Sequence, residues 1–485
     1  MDASRLYDAS VNALSKAALV KQAHGGVRFD RDLIWRYDCF GPRYTSYPTA
    51  VQFGPKFDAE AYRRAALATN VAQPPSPLSL YVHIPFCASP CFYCACSKLI
   101  TRSPEKGEAY LARLTREIAL QGDLFDRERP VGQLHLGGGT PTFLNAGQLG
   151  ELMRSLRGHF GLTQAVDREY SIEIDPRTVT PGMIDALAAL GFNRMSLGVQ
   201  DYDPQVQRAV NRMQSPEDTE AVIEQGRKAG FRSISIDLIY GLPLQTPERF
   251  SRTLDRVIEA RPDRLAVYAY AHLPKIFKSQ RRLRAADLPT AETRLELLGL
   301  TIEKLTGAGY RYVGMDHFAL PDDELIRTRD SGTLHRNFQG YSTHAGCDIV
   351  GLGVTAIGRI GDAYAQNLKG LPDYYAAIDA SQLAVHRGIV LNEDDRLRAA
   401  VIQELMCYGR ISRLEIGRRF AVDFDGYFAP ELERLKLLED DGLVTLAPAV
   451  IEVTPAGRLL SRNVAMVFDA YLKPSAAAPA YSRAI

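Results

Sequence analysis

No run of about 18 consecutive apolar residues occurs in this chain of 485, so no transmembrane helix is expected. The first twenty residues, MDASRLYDASVNALSKAALV, lack a basic start followed by a long apolar core, and no secretory signal is expected there. Charge of one sign is not in excess: 58 Lys and Arg stand against 57 Asp and Glu, a net charge of +1. Neither a nucleic-acid partner nor a membrane surface is expected from that balance, although a local basic pocket for a small anionic substrate would not show in the total. Solenoid-type repeats and long low-complexity tracts are missing as well. Cysteine is scarce, with 7 residues, and four of them fall within Cys87–Cys96. Clustering of that kind speaks against a disulfide framework and for a metal site in a reducing compartment, most simply the cytoplasm. Cys39, Cys347 and Cys407 stand alone.

What the chain does have is a 46% hydrophobic composition, enough for a substantial core, and more length than one ordinary domain needs. Residues 54–73 read as a helix, and QPPSP (Gln73–Pro77) as a boundary, since its prolines deny both helix and ladder. Then a rhythm begins. The β-rich runs Leu78–Ile84, Gln133–Leu136, Tyr170–Ile174, Arg194–Val199, Ser233–Tyr240 and Arg264–Tyr270 alternate with helix-spaced apolar sets such as Leu111, Leu114 and Ile118. Six β–α units in a row predict a parallel sheet with helices outside, either doubly wound or a full or partial barrel. From about residue 376 the pattern changes to three helices and a hairpin, a winged-helix-like unit. Without a strongly basic recognition helix it reads as a packing domain.

The central motif is CASPCFYCAC, with spacing C-x3-C-x2-C over Cys87, Cys91 and Cys94, and Cys96 two further on. It follows the first strand and therefore sits on a βα loop. Three thiolates on one short loop can hold three irons of a [4Fe–4S] cubane and leave the fourth iron open to a small molecule. The amino and carboxylate groups of a methionine can chelate that open iron, as cleavage of S-adenosylmethionine (SAM) requires. Zinc is the competing occupant, but zinc sites usually pair two separated knuckles, and only one nest is present. The short offset of Cys96 from Cys94 makes joint ligation awkward, so Cys96 is left outside the cluster.

Polar residues recur where the expected strands end. GGGTPT (Gly137–Thr142) allows close backbone approach to a ligand, such as the methionine amino group, although a tight turn would use the same glycines. Glu173 and Asp175, then Gln200 and Asp201, then Asp237, then Tyr270, Ala271 and His272 follow on successive strands. Any one of these could be a helix cap or an edge hydrogen bond. As a set they predict one binding rim at the carboxyl ends of the strands. His135 reads as a core histidine and His83 as structural. His317, His335 and His344 surround HRNFQGYST, which reads equally well as a substrate loop and as a surface loop.

The motifs LYVHIPFCASPCFYCAC, LHLGGGTPT, IEIDPRT, GFNRMSLGVQD, IDLIYGLPLQT, YAHLP, GMDHFA and HRNFQGY together closely resemble the oxygen-independent coproporphyrinogen III oxidase family. The front motif RYTSYPTA and the tail AGRLLSRNVAMVFDAYL extend the resemblance from about Tyr44 to the C-terminus. The resemblance implies a partial (β/α)6 TIM-like barrel over 51–375, an N-terminal segment over 1–50, and a mainly helical, winged-helix-like domain over 376–485. It implies oxidative decarboxylation of two propionates of coproporphyrinogen III to vinyls, giving protoporphyrinogen IX, by a 5′-deoxyadenosyl radical. The implied cofactors are a [4Fe–4S] cluster and two SAM molecules. Tyr81, Gly138 and Glu173 would touch the SAM at the cluster, while Tyr93, Gly139, Thr140, Gln200, Arg212, Asp237, Ala271 and Ile357 would line the second. Tyr93 stands where the family often has Phe, which leaves a stacking role intact. A monomer is expected, served by an electron donor such as flavodoxin or ferredoxin. Four substrate carboxylates call for basic partners, and Arg43, Arg212 and Arg336 are the candidates, although Arg43 and Arg336 read at least as well as solvated surface residues. A haem-binding chaperone or a haem-modifying relative on the same scaffold is the alternative. Such relatives are expected to lack Cys96 and the SYPTA leader.

Overall fold

The structure, a computed structural model, describes residues 26–72 and 74–472. The expectation for the first twenty residues, and Gln73 of the proline-rich boundary, lie outside the described residues. Six strands form the expected core: β1 (Leu78–Ile84), β2 (Pro130–Gly138), β3 (Glu169–Ile174), β4 (Arg194–Gln200), β5 (Ser233–Tyr240) and β6 (Arg264–Ala269). They pair in parallel and in sequence order. Between and after them run α1 (Pro104–Gly122), α2 (Ala146–His159), α3 (Met183–Ala189), α4 (Pro216–Lys228), α5 (Pro247–Ala260) and α6 (Ala291–Gly307). Each start is written locally. Asn145 and Gln148 form a capping box on α2, and Ser215, Thr246 and Thr290 cap α4, α5 and α6. Proline opens α1, α4 and α5, where its missing N–H costs nothing.

The strands show why the interior can hold polar ligands. Along β5, Ile234, Ile236, Leu238 and Tyr240 are buried against the helices, while Ser235, Asp237 and Ile239 alternate to the other face. A closed barrel fills that inner face with stacked aliphatics. Here the sheet stays open. β7 (Arg311–Gly314) and β8 (His317–Ala319) add antiparallel strands beyond β6. β9 (Asp348–Leu352) pairs in parallel with β1, and β10 (Ile357–Ile360), β11 (Ala363–Asn367) and β12 (Val385–Val390) continue antiparallel. Among the described residues, β7 and β12 are the two ends of this sheet. Because β12 hydrogen-bonds to β11, the sheet runs past residue 375, where the barrel was expected to end.

Glu117 of α1 is buried at the turn from β9 to β10. It accepts hydrogen bonds from the Gly353 amide (2.7 Å), Asn367 Nδ2 (2.7 Å) and the Tyr374 hydroxyl (2.6 Å). One carboxyl thus ties a barrel helix to the strands that close over β1.

The C-terminal unit has helices Glu393–Tyr408, Arg413–Phe420 and Ala429–Asp440. The expected hairpin Val444–Leu446/Val450–Val453 gains a third strand, Arg410–Ser412, that the sequence reading missed. This unit shares its core with the N-terminal segment: Ile34, Tyr44 and Tyr47 pack with Leu397, Leu405 and Phe468. Arg462 donates to the carbonyls of Pro42 (3.0 Å) and Gly41, and Tyr44 donates to Asp469 (2.9 Å). The RYTSYPTA leader is thereby strapped to the tail of the chain.

Candidate active site

A cavity of about 590 Å³ opens at the carboxyl ends of β1–β6. Its wall on the β1 side is the cysteine loop. Phe86–Cys87 pairs with Leu99–Ile100, and Leu99 and Thr101 donate to the carbonyls of Pro85 (2.7 Å) and Cys87 (3.0 Å). That ladder pins the loop at its base, so Cys87, Cys91 and Cys94 all reach the same cavity. Each sulfur accepts a hydrogen bond: Cys87 from Thr140 Oγ1 (3.5 Å), Cys91 from Arg212 Nη1 (3.5 Å) and Arg177 Nη2 (3.8 Å), and Cys94 from the Cys96 amide (3.4 Å). Donors of this kind stabilise thiolate charge and tune cluster potentials. Among the described residues no three His, Cys, Asp or Glu side chains converge on a point where a single ion would sit. All three thiols line one cavity, where they could serve one cluster. Cys96 is exposed on the rim of the same cavity.

The glycine run crosses directly under this loop. A Cβ on Gly139 would stand 2.6 Å from the Phe86 carbonyl oxygen, and one on Gly138 (φ +114°) would stand 2.5 Å from the His83 ring. Only glycine lets β2 and the loop approach so closely. The Gly138 amide donates to Glu173 Oε2 (3.0 Å). Burial works against the Glu173 charge, but His135, that amide and His83 outweigh it and hold the carboxyl below its ordinary range. Asp237 behaves oppositely. Burial and the neighbouring Glu173 push it up to about 7, against a 3.2 Å hydrogen bond from Ser196. Two carboxyls on one wall therefore differ in charge near neutrality. Gln200 ends β4 with φ 70°, a left-handed conformation that costs a non-glycine residue of order 1–3 kcal/mol and recurs at ligand sites.

Of the candidates, Cys87, Cys91, Cys94, Tyr93, Gly138, Gly139, Thr140, Glu173, Gln200, Arg212, Asp237 and Ala271 line the cavity. Tyr81 and Ile357 do not. The Tyr81 hydroxyl bonds His83 Nδ1 (3.0 Å) and its ring stacks on His135, with centroids 5.9 Å apart. Ile357 lies on β10, two strands beyond β1, and packs beside Phe53 and Tyr364. Asp201 proves structural: it is buried with Thr253 (2.7 Å) and Gln245 (2.5 Å). Arg177, Thr178, Ser196, Tyr268 and Gln280 line the cavity without having been singled out. Ser196 and Tyr268 keep the inward phase of their strands, two residues from Gly198 and Tyr270, so the alternation held that signal.

The candidate carboxylate partners separate. Arg212 is committed to Asp175 (3.2 Å), Cys91 and the Gly198 carbonyl (2.5 Å). Arg43 lines the cavity over the Tyr268 ring and pairs with Asp316. Burial and the nearby Arg336 and Arg462 lower its pKa to about 10. Arg336 lies behind it, 4% exposed; among the described residues its Nε and Nη1 have no hydrogen-bond partner, and it is not part of the cavity wall. HRNFQGYST is a short hairpin, His335–Asn337/Gly340–Ser342, rather than an irregular loop. Gln339, Tyr341 and Ser342 line a second, polar cavity of about 170 Å³ that shares Glu173, Ser196, Asp237 and Tyr268 with the first.

Residues 81–257 match the family model of the radical SAM superfamily, and residues 391–460 match the HemN C-terminal domain. The chain is 53% identical to the oxygen-independent coproporphyrinogen III oxidase of Pseudomonas aeruginosa, over 95% of this chain and 99% of that protein. The chain belongs to this family. The Escherichia coli member is 48% identical, again over 95% of this chain and 99% of its own length. A solved structure of coproporphyrinogen III oxidase (HemN) from Escherichia coli, a radical SAM enzyme, superposes with a TM-score of 0.88, covering 92% of this chain and 100% of that one. As a radical SAM oxidoreductase of this family, the chain uses a [4Fe–4S] cluster and SAM.

Proposed function

We propose that this enzyme converts two propionates of coproporphyrinogen III to vinyls without oxygen, giving protoporphyrinogen IX for haem synthesis. The observation that carries the reading is the convergence of Cys87, Cys91 and Cys94 on a cavity that also holds the strand-end acids and Arg43. When bound, the cluster and SAM would supply the 5′-deoxyadenosyl radical, which takes a β-hydrogen to become 5′-deoxyadenosine; loss of CO2 and transfer of one electron to an external one-electron acceptor then leave the vinyl.

The chain's own residues bind and orient. Cys87, Cys91 and Cys94 hold the cluster. Glu173 and Gly138 face the SAM at the open iron. Tyr93, Gly139, Thr140, Gln200, Arg212, Asp237 and Ala271 receive a second SAM. Tyr81, which lies near Glu173 and Cys96, would join them at the SAM on the cluster, and Ile357 would join the residues of the second. Arg43 receives a substrate carboxylate, and Arg336 raises the positive potential behind it. The C-terminal unit begins near residue 391, after β12. The enzyme works as a cytoplasmic monomer with an electron donor such as flavodoxin or ferredoxin. Among the described residues, no helix is long and apolar enough to cross a membrane.

The test is anaerobic reconstitution followed by SAM, dithionite and coproporphyrinogen III, with protoporphyrinogen as the readout. Activity should vanish in Cys87→Ala, Cys91→Ala and Cys94→Ala. Full turnover in all three would overturn the reading, and tight haem binding or haem consumption without vinyl formation would favour the chaperone or haem-modifying relatives.

A further inference from the structure

One exposed segment lies directly over the cysteine loop. Ser279 Oγ donates to the Cys94 carbonyl (3.1 Å), and Gln280 Nε2 donates to the carbonyls of Tyr93 (2.9 Å) and Ala271 (3.1 Å). The Arg282 guanidinium stands 5.2 Å from the centre of the Phe92 ring. From Leu273 to Ala286 this segment carries Lys275, Lys278, Arg281, Arg282 and Arg284, all exposed, and no acidic residue; Asp287, just beyond, pairs with Arg284. The loop itself, Ala88–Pro104, adds Lys98 and Arg102, again without an acid. Lys98 Nζ donates to the same Cys94 carbonyl (3.0 Å) as Ser279, so the two segments form one face.

Among the described residues, Lys98, Arg102, Lys275, Lys278, Arg281 and Arg282 have no carboxylate partner; Arg102 and Arg281 donate only to carbonyls. In a chain of net charge +1, that is a strong local asymmetry. Leu99, Ile100 and Ile276 are 40%, 45% and 60% exposed on these same segments. Exposed aliphatics among unpaired cations make the composition of a protein interface, with apolar contact for affinity and charge for steering and register. A tetracarboxylate substrate has its own cationic partner inside the cavity, Arg43, and no use for an exposed Ile276.

We infer that this face docks an acidic one-electron carrier protein, whose reduced flavin or iron–sulfur centre delivers the electron to the cluster beneath Cys94. The inference rests on the radical SAM reading above, since that chemistry needs an electron from outside for every SAM cleaved. One electron leaves the carrier and enters the cluster, and no bond between the proteins forms or breaks. The loop backbone that carries Tyr93 and Cys94 is held by the docking segment itself, so the carrier sits against the wall nearest the cluster.

The experiment compares the reconstituted wild type with the triple variant Lys275→Glu, Lys278→Glu, Arg281→Glu. Binding of fluorescently labelled flavodoxin and of a plant-type ferredoxin is read by anisotropy across a salt series, and turnover is driven either by the reduced carrier or by dithionite. Carrier binding should weaken on the order of 10- to 100-fold at low salt, with a flattened salt dependence. Carrier-driven turnover should fall with it, while dithionite-driven turnover stays unchanged, which also shows that the variant is folded. Should the triple variant fold poorly, Lys278→Glu alone should show the same pattern at smaller amplitude. Unchanged carrier binding overturns the inference. So does a raised KM for coproporphyrinogen under dithionite, which would make the face a substrate funnel, and so does equally tight binding of duplex DNA. Absence of dithionite-driven turnover in the wild type would sink the functional reading instead, and the binding arm would still decide the docking.

Discussion

Replacing Glu117 with Gln tests the strap that closes the sheet over β1. One oxygen of Glu117 accepts from the Gly353 amide and the Tyr374 hydroxyl, and the other accepts from Asn367 Nδ2. A glutamine keeps one acceptor and turns an N–H₂ toward a buried donor, which costs about 1–3 kcal/mol. Against that stands the carboxyl's own titration. Burial, opposed by those three donors, pushes its pKa up to about 7. An unfolded glutamate ionises near pH 4.3, so the native state keeps a proton that the unfolded state releases. Stability from this residue is therefore fully present below about pH 4.3 and falls as pH rises toward 7, by on the order of 3 kcal/mol, levelling off above that. Glutamine has no such slope. Glu117→Gln should thus be less stable than wild type near pH 5 and lose that deficit, or reverse it, near pH 8. Scanning calorimetry of both proteins at the two pH values checks this. Melting curves that shift in parallel with pH would show that the carboxyl titrates normally and that burial does not govern it.

Gly139→Ala should lower the melting temperature and abolish SAM retention by the reconstituted enzyme, because its Cβ would meet the Phe86 carbonyl at 2.6 Å; overpacking of this kind costs about 1–3 kcal/mol, and equilibrium dialysis with labelled SAM reads the second effect. Arg43→Met should raise KM for coproporphyrinogen about tenfold or more with a much smaller change in kcat, the loss of one charge-assisted carboxylate contact; an unchanged KM would place the carboxylate site elsewhere. Burial and the cations Arg336, Arg43 and Arg264 push His317 down to about 3. Its folded pKa is depressed, so the stability it contributes is present above its unfolded pKa of about 6.5 and is lost as pH falls toward 3. His317→Phe should flatten the wild-type decline in urea midpoint between about pH 7 and pH 4, and an unchanged slope would refute the assignment.

Much of the site was legible because its parts obey short-range rules. Strand alternation put Glu173 and Asp237 on the inner face, and C-x3-C-x2-C lies within one loop, so neither depends on distant packing. The open sheet was less legible. Its extension beyond β1 rests on β9, whose pairing joins Leu78 to Asp348 across hundreds of residues and leaves no periodic mark in the sequence. The local pairing of β12 with β11 carries the sheet past residue 375. Ile357 could be carried over only by motif, and its strand turned out to lie on the far side of β9. In the sequence Arg43 is marked only by its charge; its place follows from Arg462 gripping the carbonyls of Gly41 and Pro42. No local pattern encodes that contact between the two ends of the chain.

The strap between the leader and the tail also sets an order of manufacture. During synthesis the cysteine loop is complete once residue 96 has left the ribosome, whereas the segment bearing Arg43 cannot be fixed until Arg462, more than 350 residues later, has been made. Domains fold as they emerge, N-terminal first. The Arg43 side of the cavity wall is thus the last part of the site to be fixed.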